Sequence, residues 1–266
     1  MVAHQGWQVS AGIDTSTPNH ARVYDYVLGG KDNFAVDREA AKKVLAVAPD
    51  TRRLARANRA FLVRTVRFVA ESGIRQFIDL GTGIPTSPNV HQVARGVDAS
   101  ARVVYVDNDP IVVEHNHALL ASDEGVVTIE ADIRRPAEIL GNPELEMLID
   151  FDEPVAVLMV AVLHLVTAQE RPGSIVAQFR ERMTPGSHIV LSQFAADSDP
   201  EAAAQLRTVY ANAPTRLTFR PRDEILRFFE GFEVLTPGLV DVERWRPETP
   251  GAPTKLKVAG GVGRKI

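Results

Sequence analysis

Gln76-Phe77-Ile78-Asp79-Leu80-Gly81-Thr82-Gly83-Ile84-Pro85 decides how the chain is read. An apolar run carrying one acid ends in two glycines with a single residue between them. Pro88-Asn89-Val90-His91-Gln92-Val93-Ala94 then reads as the start of a helix. Strand, glycine turn and helix in that order let a backbone come close to a nucleotide-like ligand. Gly81 and Gly83 lack a Cβ, so they can turn tightly and leave room for it. The dinucleotide fingerprint asks for a third glycine three residues after Gly83, and Thr86 stands there. The turn alone is a weak signal, and its surroundings must decide.

Downstream of residue 73, apolar runs alternate with helical patterns. Strands are expected at Phe77–Leu80, Val103–Val106, Val126–Ile129, Val155–Val160 and Ile189–Ser192. Helices are expected at Asn89–Arg95, Ile111–Ala121, Arg135–Leu140 and Ser174–Arg182. That alternation argues for a parallel sheet covered on both faces. Helices Pro200–Ala211 and Arg222–Phe229 follow, and Phe232–Leu235 and Leu256–Ala259 read as two last strands. A Pro-rich loop through Arg244-Trp245-Arg246-Pro247 joins them.

Upstream, residues 1–20 mix Gly, Ser, Thr, Pro and Asn and read as a mobile arm. Residues 21–72 read as a helical cap. Its first helix, through Tyr24 and Tyr26, stops at Gly29-Gly30, and Asp32-Asn33 start the next. Two readings stand side by side: a glycine-punctuated helix hairpin, or a lid whose Tyr24, Tyr26, Asn33 and Phe34 close over a ligand. From Arg52 to Val69, Leu54, Ala57, Phe61, Leu62, Thr65 and Phe68 recur at helical spacing. Arg52, Arg53, Arg56, Arg59, Arg64 and Arg67 occupy its other sides. A solvated face is expected there, with contact to an acidic substrate or partner as the alternative.

Bulk composition excludes several classes. With 266 residues the chain fits one large α/β domain or one domain with an appendage. A net charge of −4 supplies no basic field to recruit nucleic acid. Cysteine is absent, which removes disulfides, thiolate zinc sites and a cysteine nucleophile. His115 and His117 are two apart on an expected helix and cannot face one ion together, so no metal is expected. No run is long enough to span a bilayer and no leader pattern opens the chain, so the expected location is the cytoplasm.

Ligands of open parallel sheets bind at the carboxyl ends of the strands. Asp79, Gly81 and Gly83 stand there after the first strand, and Asp107-Asn108-Asp109-Pro110 after the second. Ala131-Asp132-Ile133 follows the third and Leu163-His164 the fourth. A carboxylate past the second strand can accept from both ribose hydroxyls, which makes Asp107 the candidate, with Asn108 beside it. Asp132 can accept from an adenine amino group, with Ile133 against the ring. Asp109 is placed to cap the next helix. Tyr26 and Asn33 join the cofactor set from the cap.

The order Asp79-x-Gly81-x-Gly83, Asp107 and Ala131-Asp132-Ile133 resembles class I S-adenosylmethionine-dependent methyltransferases over residues 73–266. More narrowly, Tyr24-Asp25-Tyr26-x-x-Gly29-Gly30-Lys31-Asp32-Asn33-Phe34 resembles an actinobacterial family of S-adenosyl methyltransferase-like proteins of unknown substrate. Ile84-Pro85-Thr86-x-x-Asn89-Val90-His91, Val106-Asp107-Asn108-Asp109-Pro110 and Arg244-Trp245-Arg246-Pro247 carry the same likeness. Ile84-Pro85-Thr86 departs from the general class pattern at its third glycine. The resemblance implies a Rossmann-like α/β fold: a seven-stranded, mostly parallel sheet with an antiparallel terminal hairpin and an N-terminal helical cap. It implies S-adenosyl-L-methionine as cofactor, with Gly81 and Gly83 admitting the methionine portion and Asp79 helping to hold its amino group.

Methyl transfer is an in-line displacement in which placement of the acceptor does most of the work. A base is needed only where the acceptor must lose a proton. His164 is the best-placed catalytic base by position, with a histidine satisfied at the sheet edge as the equal alternative. The expected partner is a small-molecule methyl acceptor, with neither nucleic acid nor membrane. A cofactor-sensing protein without turnover and an NAD(P)-dependent oxidoreductase are the competing functions.

Overall fold

Phe77, Ile78 and Leu80 are all fully buried although they alternate in direction, because both faces of their strand are covered. The computed structural model describes residues 15–120, 124–211, 216–249 and 251–266. Most of the expected N-terminal arm lies outside them. The strands are β1 (Gln76–Leu80), β2 (Arg102–Asp107), β3 (Val126–Glu130), β4 (Ala156–Val160), β5 (His188–Phe194), β6 (Phe232–Val234), β7 (Val240–Asp241) and β8 (Val258–Lys265). They form one sheet in the order β3-β2-β1-β4-β5-β8-β6, with β7 pairing to β8. Neighbours from β3 to β5 run parallel, and β8 runs antiparallel to β5, β6 and β7. The chain lays β2 and β3 on one side of β1, then crosses to β4 and β5 on the other. That switch opens a crevice at the carboxyl ends of β1 and β4.

The period of two sorts the core into two clusters. Phe77, Val103, Tyr105 and Leu158 belong to one, and Ile78, Leu80, Val104 and Val157 to the other. The first cluster is closed by α1 (His20–Leu28), α2 (Ala35–Val47), α3 (Thr51–Glu71) and α4 (Val90–Arg95). The second is closed by α6 (Pro136–Leu140), α7 (Pro143–Leu148) and α8 (Pro172–Arg182). Helices α5 (Pro110–Leu120), α9 (Pro200–Val209) and α10 (Arg222–Arg227) complete the chain. α9 packs with α2 in the first cluster and α10 sits in the second. Asp79 continues the parity of Phe77, and Asp107 that of Tyr105. Both carboxylates therefore fall on the face covered by α1–α4.

Four details depart from the sequence expectations. The last strand is Val258–Lys265 instead of Leu256–Ala259. A Cβ on Gly260 would lie 2.9 Å from Phe61 Cζ, and one on Gly263 2.8 Å from Phe229 Cδ1. Glycine is there so that rings can press onto the strand. β7 adds an eighth strand of two residues, too short to leave a pattern. The second cap helix starts at Ala35, where Asp37 accepts from Phe34 N at 2.9 Å, and not at Asp32-Asn33. The arginines of α3 are not simply solvated: Arg53 donates to Pro253 O at 2.6 Å, and Arg64 to Trp245 O at 2.9 Å and Val242 O at 2.7 Å. Gly260→Ala is expected to cost about 1–3 kcal/mol by overpacking against Phe61, read as a lower urea midpoint. Among the described residues no helix is long and apolar enough to cross a membrane.

Candidate functional site

A cavity of about 240 Å³ lies at the crevice, between the ends of β1, β2 and β4 and the helices α1 and α3. Gly81 and Gly83 line it with φ of +69° and +66°. A Cβ on Gly81 would stand 2.4 Å from Val162 Cγ2, whereas one on Gly83 would meet nothing within 4 Å. The first glycine is forced by packing, and the second leaves a cradle open. Gly81 N and Thr82 N donate to Val106 O at 2.8 and 3.2 Å, tying the turn to β2.

Asp107 ends β2 at the cavity wall. Its Oδ2 accepts from Gly83 N at 2.8 Å and its Oδ1 from Asp109 N at 3.0 Å. A carboxylate has about four acceptor positions, so each oxygen keeps one for a ligand hydroxyl. Burial pushes its pKa up to about 6. Asn108 is exposed and also lines the cavity. Asp109 caps α5 as expected, accepting from Ile111 N at 2.9 Å.

Asp79 lies behind the turn and not on the cavity wall, accepting from Thr82 Oγ1 at 3.1 Å. Burial raises its pKa to about 6 against the nearby Arg59 charge. Both carboxylates are thus ionised above about pH 6 and neutral below it. A ligand with a cationic centre and ribose hydroxyls needs the ionised forms. S-adenosylmethionine affinity is therefore expected to fall as the pH drops from about 7.5 to about 5.5, measured by titration at both values. Fold stability runs the other way: these folded pKa values exceed the ordinary 3.8, so the contribution fades as pH rises from about 4 through about 6.

Asp132 and Ile133 also stand outside the cavity wall. Arg134 Nε donates to both Asp132 oxygens at 2.9 Å, and its NH1 reaches Glu170 at 3.1 Å. Burial favours the neutral carboxyl, but the Arg134 hydrogen bonds prevail and hold Asp132 below the usual range. Ile133 is half-buried against the second core cluster.

Tyr26 and Asn33 are not brought to the cavity. Side chains two apart on a helix point about 200° apart, so one tyrosine of the pair can face inward. Tyr24 does: its hydroxyl donates to Ala55 O at 3.0 Å and accepts from Asn58 Nδ2 at 3.2 Å. Tyr26 instead lies beside Arg52, whose guanidinium is 5.6 Å from its ring centre. Asn33 Nδ2 donates to Asp25 Oδ2 at 2.8 Å and holds the connection between α1 and α2. A Cβ on Gly30 would lie 1.9 Å from Asp25 Oδ1, so that connection closes tightly.

His164 does line the cavity, on a short turn after β4. Thr218 N donates to its carbonyl at 2.8 Å, and buried Arg220 holds Leu163 O at 2.8 Å and Val166 O at 2.5 Å. The ring lies 4.6 Å from Phe194, and Nδ1 is buried without a hydrogen-bond partner. Burial, helped by the charges of His20 and Arg220, pushes its pKa down to about 3. Position was read correctly from the sequence, but the basicity assumed there belongs to a solvated imidazole. At neutral pH the ring is uncharged and a poor proton acceptor.

Sequence reasoning passed over Asn58 and Ser192 as site residues, and took Arg59 for one of a solvated run of arginines. Asn58 Oδ1 accepts from Ser192 Oγ at 2.7 Å, and that oxygen accepts from Ala161 N at 2.9 Å. Ala161 lines the cavity at φ +58°, a conformation a non-glycine residue holds only under constraint. The chain Tyr24–Asn58–Ser192–Ala161 couples cap to sheet. Arg59 reaches Thr86 O and Pro88 O on the glycine turn's far side. Asn58 had a signal, being a lone amide between Leu54 and Leu62 on an apolar stripe.

The mostly parallel sheet, antiparallel near its C-terminal end, and the N-terminal helices that cover it are the fold of class I methyltransferases. Residues 6–266 match the S-adenosyl methyltransferase family, and the chain belongs to that family. It is similar to a DUF574 family protein from Streptomyces avermitilis, at 39% identity over 95% of this chain and 99% of that one, with a TM-score of 0.92. It is also similar to a candidate methyltransferase from Thermobifida fusca, at 40% identity over 96% and 97% of the two chains, with a TM-score of 0.90. Human N-acetylserotonin methyltransferase, solved with S-adenosylmethionine, shares the fold alone: 13% identity over 94% of this chain and 63% of that one, at a TM-score of 0.50. A search of the curated proteins found no match. The cofactor is S-adenosylmethionine, and the protein is a methyltransferase that depends on it. The open Cβ space at Gly83 and the spare acceptor positions of Asp107 fit that molecule.

Proposed function

We propose that the protein methylates a small-molecule acceptor held between a cap, residues 21–72, and a cofactor domain, residues 73–266. The observation that carries this reading is the cavity itself. It runs from the glycine turn and Asp107 to walls supplied by α1, α3 and α9, a volume of about 240 Å³ that suits a small molecule. A polymer would need an open groove, and a net charge of −4 offers nucleic acid no counter-field.

S-adenosylmethionine supplies an electrophilic methyl group on a sulfonium. Asp107 accepts from the ribose hydroxyls and Asn108 flanks them. Asp132, partly released from Arg134, accepts from the adenine amino group, and Ile133 lies along the ring. Gly81 and Gly83 admit the methionine portion, while Asp79 orders the turn near its amino group. His164 meets the acceptor as a neutral hydrogen-bonding group. The Tyr24–Asn58–Ser192–Ala161 chain keeps the acceptor side in register with the sheet, which serves a reaction that depends on placement.

Incubation with S-adenosylmethionine and fractionated metabolite pools, followed by assay for S-adenosylhomocysteine, tests the proposal. Product in a low-molecular-weight pool is expected. Product with protein or nucleic-acid pools alone, or unchanged cofactor with every pool, would contradict it.

A further inference from the structure

Arg59 is the one arginine of α3 that lines the cavity, and no other arginine or lysine stands among the described lining residues. Both of its hydrogen bonds leave from NH2, to Thr86 O and Pro88 O just past the glycine turn. Its Nε is buried without a partner, and NH1 meets no acceptor among the described residues. A guanidinium carries five N–H donors in a planar fork, so this one keeps donors for a ligand. Its charge bears on Asp79, yet Asp79 takes its side-chain hydrogen bond from Thr82, and no ion pair joins the two among the described residues.

The glycine turn itself offers an anion little. Gly81 N and Thr82 N are committed to Val106 O, and Gly83 N to Asp107 Oδ2. A carboxylate entering the open space at Gly83 would find those amides occupied. It would also stand near two buried acids, Asp79 and Asp107, which repel it unless a cation is within reach. Arg59 is that cation. Its NH2 contacts pin the guanidinium to the segment that follows the turn, and a fork fixed at one nitrogen suits the paired oxygens of a carboxylate.

We infer that Arg59 binds the α-carboxylate in the methionine portion of S-adenosylmethionine, while Asp79 serves the amino group. This rests on the methyltransferase reading of the same site. Because Arg59 stands on α3, the contact makes the cap part of the cofactor site. The site then selects for the complete amino acid and against nucleosides that lack its carboxylate.

The test is calorimetric titration at about pH 7.5, where both aspartates are ionised. The ligands are S-adenosylhomocysteine and its decarboxylated form, S-adenosyl-3-thiopropylamine. The unmodified protein is expected to bind the first about 10- to 100-fold tighter, the range for hydrogen bonds to a charge. Arg59→Met and the milder Arg59→Gln should remove most of that preference by weakening S-adenosylhomocysteine alone. Undiminished binding of the decarboxylated ligand certifies that each variant is folded. Arg59→Lys keeps the charge without the fork and should retain part of the preference. Equal weakening of both ligands in the variants would give Arg59 only a structural hold on Thr86 and Pro88 and overturn the inference. Equal affinity of the unmodified protein for the two ligands would overturn it as well. Failure of the unmodified protein to bind either ligand would instead overturn the cofactor site on which the inference rests.

Discussion

Asp107→Ala is expected to weaken S-adenosylmethionine binding by about 2–4 kcal/mol, roughly 30- to 1,000-fold in dissociation constant. The magnitude follows from what the carboxylate holds. It spans the Gly83 and Asp109 amides and keeps one acceptor position per oxygen for the ribose. Alanine removes hydrogen bonds to a charge and also releases the Gly83 amide, while Gly81 N and Thr82 N still hold the turn to Val106 O. Asp107→Asn keeps the size and one acceptor oxygen, so an intermediate loss is expected. Calorimetric titration with S-adenosylmethionine and S-adenosylhomocysteine, with NAD as control, reads both variants. Unchanged affinity in Asp107→Ala would remove the residue from the site.

Trp245→Ala is expected to destabilise the fold by about 3–5 kcal/mol, as buried Trp truncations do. Trp245 is fully buried, with Phe61 at 5.8 Å and Phe68 at 5.6 Å against it edge-on. Arg246 covers the Phe68 ring at 4.2 Å, and Arg64 grips the Trp245 carbonyl. The loop thus clamps α3, the helix that carries Asn58 and Arg59 to the cavity. Urea unfolding should show the loss as a lower midpoint at unchanged slope. Trp245→Phe retains most of the volume and is expected to cost much less. Equal losses in the two variants would show that ring packing is not the origin.

The parallel half of the sheet was readable because burial on both faces writes continuous apolar runs, as in Phe77-Ile78 and Val103-Val104. Gly81, Gly83 and Asp107 could be placed at the cavity for a related reason: they stand at the end of such a run or in the turn that follows it, where ligands of this topology bind. β8 was misplaced because its glycines answer to Phe229 and, across most of the chain, to Phe61, contacts that leave no local pattern. Tyr26 was paired with Tyr24 by proximity in sequence, and helix geometry separates them. The basicity of His164 depends on how completely Phe194, Arg220 and the cap enclose it. Arg59 and Arg64 looked like a charged surface, since their partners are carbonyls, which carry no sequence signature.

A crystal structure with S-adenosylhomocysteine tests the central claim most directly. The account predicts both ribose hydroxyls within hydrogen-bonding distance of the Asp107 carboxylate, the amino-acid portion against Gly81 and Gly83, and adenine beside Asp132 and Ile133. A nucleoside bound away from the ends of β1 and β2, with Asp107 still contacting only Gly83 and Asp109, would contradict it.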